Sequence, residues 1–288
     1  MADGARSART LEGLAGRLSA ASIRRYANPN TLFDWPERPD RERFAFSPAL
    51  SALSSHPVYV ELSDEQRWRL HLHEAAHFFS LNVAGERELM IGLARRLHVG
   101  ALAPVSGYLQ HFLHEENVHT AVFSRFCRSY ATLYPDRQVP LGSPGLPGED
   151  DVVFFARVVV FEEVANYFNV TIGRDDSVWS LSRDINAYHA QDEARHIAFG
   201  RVALGELWAR FAPAWGDEGR ARVSSYIERY LEATLRSYVD PSVFRAAGVP
   251  GRALALRDEV LGSPQRAALH EAASRRARES LRFAEVLS

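Results

Sequence analysis

The sequence predicts an all-α protein, and three observations carry that reading. From Ser63 onward, apolar residues recur at helical spacing through segments of roughly 20–35 residues. No alternating apolar–polar pattern runs longer than a few residues, and no repeat with a 20–50-residue period is present. The 288 residues are 46% apolar and 24% charged, the balance of a folded chain able to bury a large core, not of a fibrous or low-complexity one.

The elements follow in order. Residues 1–62 are rich in turn chemistry: Asn28-Pro29-Asn30, Trp35-Pro36-Glu37-Arg38-Pro39, then a serine-rich stretch ending at Pro57. Pro, Asp and Asn at this density interrupt helices, so one short helix and a wrapping arm are expected here. Ser63 followed by Gln66 is a capping box, opening a first long helix that extends to about Val99. A second runs from Ser106 to about Tyr134, stopped by Pro135. Pro147 to Asp151 open a third, ending near Gly173. Asp175 to Ser177 open a fourth that reaches about Phe211, before Pro213. A fifth fits Gly216 to Tyr238, and a final pair follows Pro250 and Pro264. Residues 63–288 are thus expected to form one helical domain, with the arm packed on it.

Charge and cysteine content narrow the function classes. Net charge is −2, which provides no field for nucleic acid or an anionic membrane. Every one of the 34 basic residues is Arg, so amine chemistry such as a Schiff base or a P-loop lysine is excluded. Cys127 is the single cysteine, which excludes an intramolecular disulfide and fits a reducing, cytoplasmic compartment. In sequence it reads as a helix-interior thiol. The start of the chain has no apolar core of a signal peptide. The most apolar run, Val152 to Phe161, is interrupted by Arg157 and is too short to span a bilayer.

Four helices carry carboxylates or imidazoles inside apolar stripes. With about 100° of rotation per residue, Phe112, Glu116, His119 and Phe123 share a face of the second helix. Ile185, His189, Glu193 and His196 share one on the fourth. Glu162 lies with Phe155 and Val158 on the third, and Glu86 with Phe79 and Val83 on the first. Glu88 and Glu163 are the neighbouring alternatives, placed off those stripes. Unpaired buried carboxylates cost several kcal/mol each, so four Glu and three His converging in one core call for about two cations. Glu116-x-x-His119 and Glu193-x-x-His196 repeat one spacing on two helices, with a Glu on each of two others. That is the ligand set of ferritin-like dimetal carboxylate four-helix bundles.

The order Glu, Glu-x-x-His, Glu, His-x-x-x-Glu-x-x-His, ending in His189-Ala-Gln-Asp-Glu-Ala-Arg-His196, resembles the para-aminobenzoate N-oxygenases, the AurF-like arylamine oxygenases. The resemblance covers about Ser63 to Phe211. It implies that Glu86, Glu116, His119, Glu162, His189, Glu193 and His196 bind two iron ions, Mn being the substitute metal. His189 would be the third imidazole. It further implies O₂ activation and N-oxygenation of an aryl amine to hydroxylamine and nitro products in natural-product (antibiotic) biosynthesis. Electrons would come from an external donor, since no dinucleotide loop or cluster-binding cysteines are present. Hydroxylation, desaturation or oxidative cleavage on the same fold, and a non-enzymatic iron-handling relative, are the alternatives. The long terminal segments are expected to wall a substrate pocket or form a homodimer surface. Glu115 is expected in solvent or behind the ligands, and Asn166 and Asn169 lie near the Glu162 face. No substrate-binding Arg stands out among the 34.

One motif points elsewhere. His73-Glu74-Ala75-Ala76-His77 matches the zinc-hydrolase pattern HExxH. On the first helix, however, its imidazoles lie roughly 115–160° from the Glu86 stripe, and no third ligand follows at a recognised spacing. His71, His73 and His77 are therefore expected to form a polar helix face or to meet the arm.

Overall fold

A computed structural model describes residues 10–136 and 145–287; the first nine residues of the expected arm lie outside it. Ten α-helices are present among these residues: α1 Leu11–Arg24, α2 Val58–Glu61, α3 Asp64–Arg96, α4 Ser106–Tyr130, α5 Glu149–Gly173, α6 Ser180–Phe211, α7 Gly216–Ser237, α8 Pro241–Ala247, α9 Ala253–Leu261 and α10 Pro264–Phe283. Short 3₁₀ turns, Gly100–Val105 and Ala212–Trp215, lead out of α3 and α6. Among the described residues the only extended pairing is an isolated bridge between Phe44 and Val178.

The long helices begin where the sequence chemistry places them. Ser63 accepts from the Gln66 backbone N–H while the Gln66 side chain accepts from the Ser63 N–H, so the capping box is formed on both sides. Helix α4 ends at Tyr130, a turn before Pro135; the backbone before the proline has already left the helix. Two short helices, α2 and α8, went unnoticed in the sequence. Helix α8 has a clear signature in retrospect: Asp240 caps the Ser242 N–H, Pro241 opens it and Gly248 closes it with positive φ.

Helices α3 and α4 pack as one antiparallel pair and α5 and α6 as another, enclosing the core of a four-helix bundle. Helix α1 lies across α4 and α6, α8 covers α3 and α10 covers α5, while the arm meets α3 at His71 and Glu74 and α6 at Ser182. Stacked aromatics fill the interior, including Phe79 on Phe123 (4.9 Å) and Phe168 on Tyr238 (4.3 Å). Cys127 is buried beside the Ala76 carbonyl, and burial pushes its thiol up to about 12, so it is inert core. No helix of the described residues is long and apolar enough to cross a membrane.

Candidate metal centre

All seven side chains singled out in the sequence point into the bundle and are essentially inaccessible to solvent. They fall into two adjoining groups. Glu86 from α3, His119 from α4 and His189 from α6 form one; Glu116 from α4, Glu162 from α5, and Glu193 and His196 from α6 form the other. Within each group one ligand atom per residue lies within 4.8 Å of all the rest.

Two carboxylates face both groups. Glu116 approaches His196 Nδ1 at 2.9 Å with one oxygen and His119 Nδ1 at 3.3 Å with the other. Glu193 lies 2.7 Å from His189 Nε2 and 3.3 Å from His196 Nδ1. Glu86 completes its group 3.3 Å from His189 Nε2. The neighbouring glutamates sort cleanly. Glu88 is exposed and paired with Arg87, and Glu163 turns away to accept from the Ser280 hydroxyl.

The inward atoms are those left without an aligned hydrogen bond. Both oxygens of Glu86, Glu162 and Glu193, one of Glu116, Nε2 of His189 and Nδ1 of His196 have none, although all are buried. Such groups would be costly to leave so. Four carboxylates carry four negative charges, which two divalent cations cancel. Carboxylate oxygens with imidazole nitrogens are the donors that Fe and Mn take, so the residues present fit a dimetal centre.

Protonation tells the same story electrostatically. Burial, with Glu193 and Glu116 nearby, drives the Glu162 carboxyl well above its usual range. Burial likewise pushes Glu86 up to about 8. Burial would lower the imidazoles, yet His119 is held well above its ordinary value by Asp192 and Glu116, and His196 by Glu193 and Glu116. Protons accumulate where positive charge is missing.

Behind each imidazole stands a buried polar partner. The other nitrogen of His196 is 2.8 Å from Glu115, that of His119 is 3.2 Å from Asp192, and that of His189 is 2.6 Å from the Asn169 amide. The first two contacts are reciprocal: α4 supplies Glu115 to the histidine of α6, and α6 supplies Asp192 to the histidine of α4. Arg195 joins them, 2.6 Å from Glu115 and 2.8 Å from Asp192. Arg25, at the end of α1, reaches Asp192 at 3.4 Å, so the arm supports the site as well. These partners fix ring orientation and raise the basicity of the inward nitrogen. The sequence reading missed Asp192 and Arg195. Each lies one position before an inward-facing residue, Glu193 or His196, and so projects off the stripe toward the adjacent helix, where only the fold brings it to its partners.

Phe112 stacks on the His196 ring at 3.9 Å, and Phe155 is fully buried nearby. The HEAAH residues lie elsewhere. His71 is stacked on Phe44 of the arm and bonded to the Tyr59 hydroxyl, Glu74 accepts from the Ala52 N–H and the Ser51 hydroxyl, and His73 meets the Tyr134 hydroxyl. Among the described residues they join no metal-binding group.

Comparisons with known proteins bear on the fold and the family. A search of curated proteins finds no relative. Among solved structures the chain is similar to one variant of an R2-like ligand-binding oxidase with an aerobically reconstituted Mn/Fe cofactor, at 17% identity and a TM-score of 0.54, covering 93% of this chain and 92% of that one. A second variant of the same description matches at 14% identity and a TM-score of 0.52, over 90% and 93%. At such identities the likeness carries the fold, a ferritin-like bundle. The family comparison goes further, matching P-aminobenzoate N-oxygenase AurF over residues 8–284. With nearly the whole chain matched and two carboxylate–histidine groups in its core, the chain belongs to the AurF family of para-aminobenzoate N-oxygenases and is a non-haem di-iron oxygenase.

Proposed function

We propose that Glu86, Glu116, His119, Glu162, His189, Glu193 and His196 are the metal ligands, and that the enzyme N-oxygenates an amine, converting an aryl amine to hydroxylamine and nitro products. The observation that carries the first statement is the set of buried, hydrogen-bond-orphaned atoms facing one another across the bundle. His189 gives one group two imidazoles to a single carboxylate, whereas the other has one imidazole to three carboxylates.

When bound, the metal pair supplies O₂ activation, with electrons from an external donor. The protein's residues do the rest. Glu116 and Glu193 face both groups and so fix their separation. Glu115, Asp192 and Asn169 hold the imidazole rings in place. Phe112 and Phe155 exclude water from the site. The reading extends to a cytoplasmic homodimer in natural-product biosynthesis, in which a partner copy would cover exposed apolar side chains such as Leu254 and Phe283.

The test is metal analysis followed by single turnover. Two iron ions per chain are expected, and the reduced protein with O₂ should convert an aryl amine to hydroxylamine or nitro product. One tightly bound zinc would refute the ligand assignment. Two irons with an oxidised carbon skeleton and an untouched amine would refute N-oxygenation. Mineralisation of many iron equivalents with no organic product would favour an iron-handling protein.

A further inference from the structure

Helix α1 ends against the outer side of the bundle, level with the two carboxylate–histidine groups. Arg25, which closes the helix, donates to Gln191 at 2.8 Å and to Asp192 at 3.4 Å. Asp192 is in turn the partner of His119. Tyr26, the next residue, stacks on the His114 ring with centroids 4.7 Å apart. His114 directly precedes Glu115, the partner of His196. One helix end therefore reaches the outer support of an imidazole in each group. Asn169, behind the third imidazole, is fully buried.

The outward side of the same turn carries two large exposed side chains, Ile23 at 63% and Tyr26 at 74%. Arg24 and Arg25 stand between them, both exposed, and Arg17 lies two turns back along the same side of α1. No carboxylate occurs from Gly13 to Phe33, and the outer positions of α4 alongside, Gln110, His111, His114 and Asn117, add none. An aromatic and an aliphatic side chain among arginines is the composition of a recognition patch, and its charge suits an acidic partner. Weak redox encounters bury less than about 1,200 Å² in total, so one helix end with its neighbours is large enough. Helix α10 is the other arginine-rich surface, but its Arg275, Arg276 and Arg278 are interspersed with Glu271 and Glu279. The contact beneath it runs from Ser280 to Glu163, which turns away from the metal groups.

Building on the ligand assignment above, we propose that the end of α1, from Ile23 to Tyr26, is the docking site of an acidic ferredoxin-type protein that supplies the electrons. They pass inward along the contacts Arg25–Asp192–His119 and Tyr26–His114, Glu115–His196. Each docking moves one electron: the donor's iron–sulfur cluster is oxidised by one and one ferric ion becomes ferrous. Two dockings reduce the pair, and no bond in the protein is made or broken. Arg24 takes part by attracting the donor, since it touches none of the ligands or their partners.

The test mixes the ferric iron-loaded full chain with reduced plant-type [2Fe–2S] ferredoxin, without oxygen and without any amine, and follows loss of the ferric absorbance. At low salt Arg24→Glu should slow this reduction roughly 10-fold, by loss of electrostatic steering, while Arg24→Lys should keep the parent rate. Added salt should slow the parent toward the Arg24→Glu rate. Arg275→Glu, the same charge change on α10, should reduce as fast as the parent. Dithionite needs no docked protein and should reduce Arg24→Glu and Arg275→Glu equally fast. A parent that dithionite reduces and ferredoxin does not would overturn the proposal. So would equal ferredoxin rates for Arg24→Glu and the parent, or an Arg275→Glu variant as slow as Arg24→Glu. Slower dithionite reduction in Arg24→Glu than in Arg275→Glu would place the effect in the metal site itself and overturn it as well. Iron content separates the two readings: two irons per chain with Arg24-independent rates defeat the docking site alone, whereas a chain that takes up no iron defeats the ligand assignment and the docking site with it.

Discussion

The amide of Asn169 on α5 lies 2.6 Å from Nδ1 of His189 on α6, behind the imidazole nitrogen that faces Glu86 and Glu193. Asn169 Oδ1 otherwise has no partner. Turned to accept from Nδ1–H, it would be satisfied and would leave Nε2 with its lone pair aimed at the metal position. With His189 among the proposed ligands, Asn169→Ala should therefore weaken binding of one metal ion by roughly 10- to 100-fold. Chelator competition would measure it, and two equally tight ions in the variant would show that the amide orients nothing.

The Glu115–His196 and Asp192–His119 contacts share Arg195, so charge and orientation are coupled there. Glu115→Gln preserves shape but removes the charge that supports His196, and should weaken metal binding without unfolding the protein. Arg195→Gln leaves two buried carboxylates short of their cation and should cost roughly 2–3 kcal/mol of stability. Denaturant unfolding with parallel metal analysis would distinguish the two effects. Identical behaviour of both variants would contradict this division of labour.

How much of this the sequence disclosed follows from the range of each interaction. Glu116-x-x-His119 and His189-x-x-x-Glu193-x-x-His196 are legible because a helix converts spacing into a shared face. Glu86 over Glu88 followed from the same periodicity. Asp192 and Arg195 were not legible, since their partners sit on another helix and their own positions lie just off the stripe. Arg157 was visible as an odd charge in an apolar run, but its partner, Tyr230 on α7, is distant in sequence and meets it only in the folded chain. Helix α8 was overlooked because seven residues carry too little periodicity to stand out beside the long helices.

Metal removal should be costly to the fold. Without cations, four buried carboxylates face one another and depend on protons for neutrality. A ligand present at a thousand times its dissociation constant stabilises by about 4 kcal/mol, and for a chain of this size that is roughly 10 °C in Tm. Thermal unfolding of chelated and reloaded protein should show a drop of that order. A Tm unaffected by chelation, with iron shown to be gone, would mean that the bundle does not need the ions.

The HEAAH segment makes a pH prediction instead of a catalytic one. Burial pushes the Glu74 carboxyl up to about 7, against the lowering effect of the Ala52 N–H and the Ser51 hydroxyl. Burial lowers neighbouring His71 to about 4. Both are therefore neutral between about pH 4 and 7, with His71 Nδ1 at 3.6 Å from Glu74. A carboxyl raised on folding contributes stability that is complete below its unfolded value, near 4.5, and is lost as pH climbs through 7. Glu74→Gln keeps an acceptor for Ala52 and Ser51 but cannot ionise. Its stability relative to the parent should rise across that window, by up to about 3 kcal/mol, and level off above it. The His71 contribution, lost as pH falls from 6.5 toward 4, is common to both proteins and cancels. Urea unfolding at pH 5 and pH 8 reads the difference directly. Parallel pH curves would place Glu74 in a solvated environment, and the motif would again need an explanation other than a buried contact between α3 and the arm.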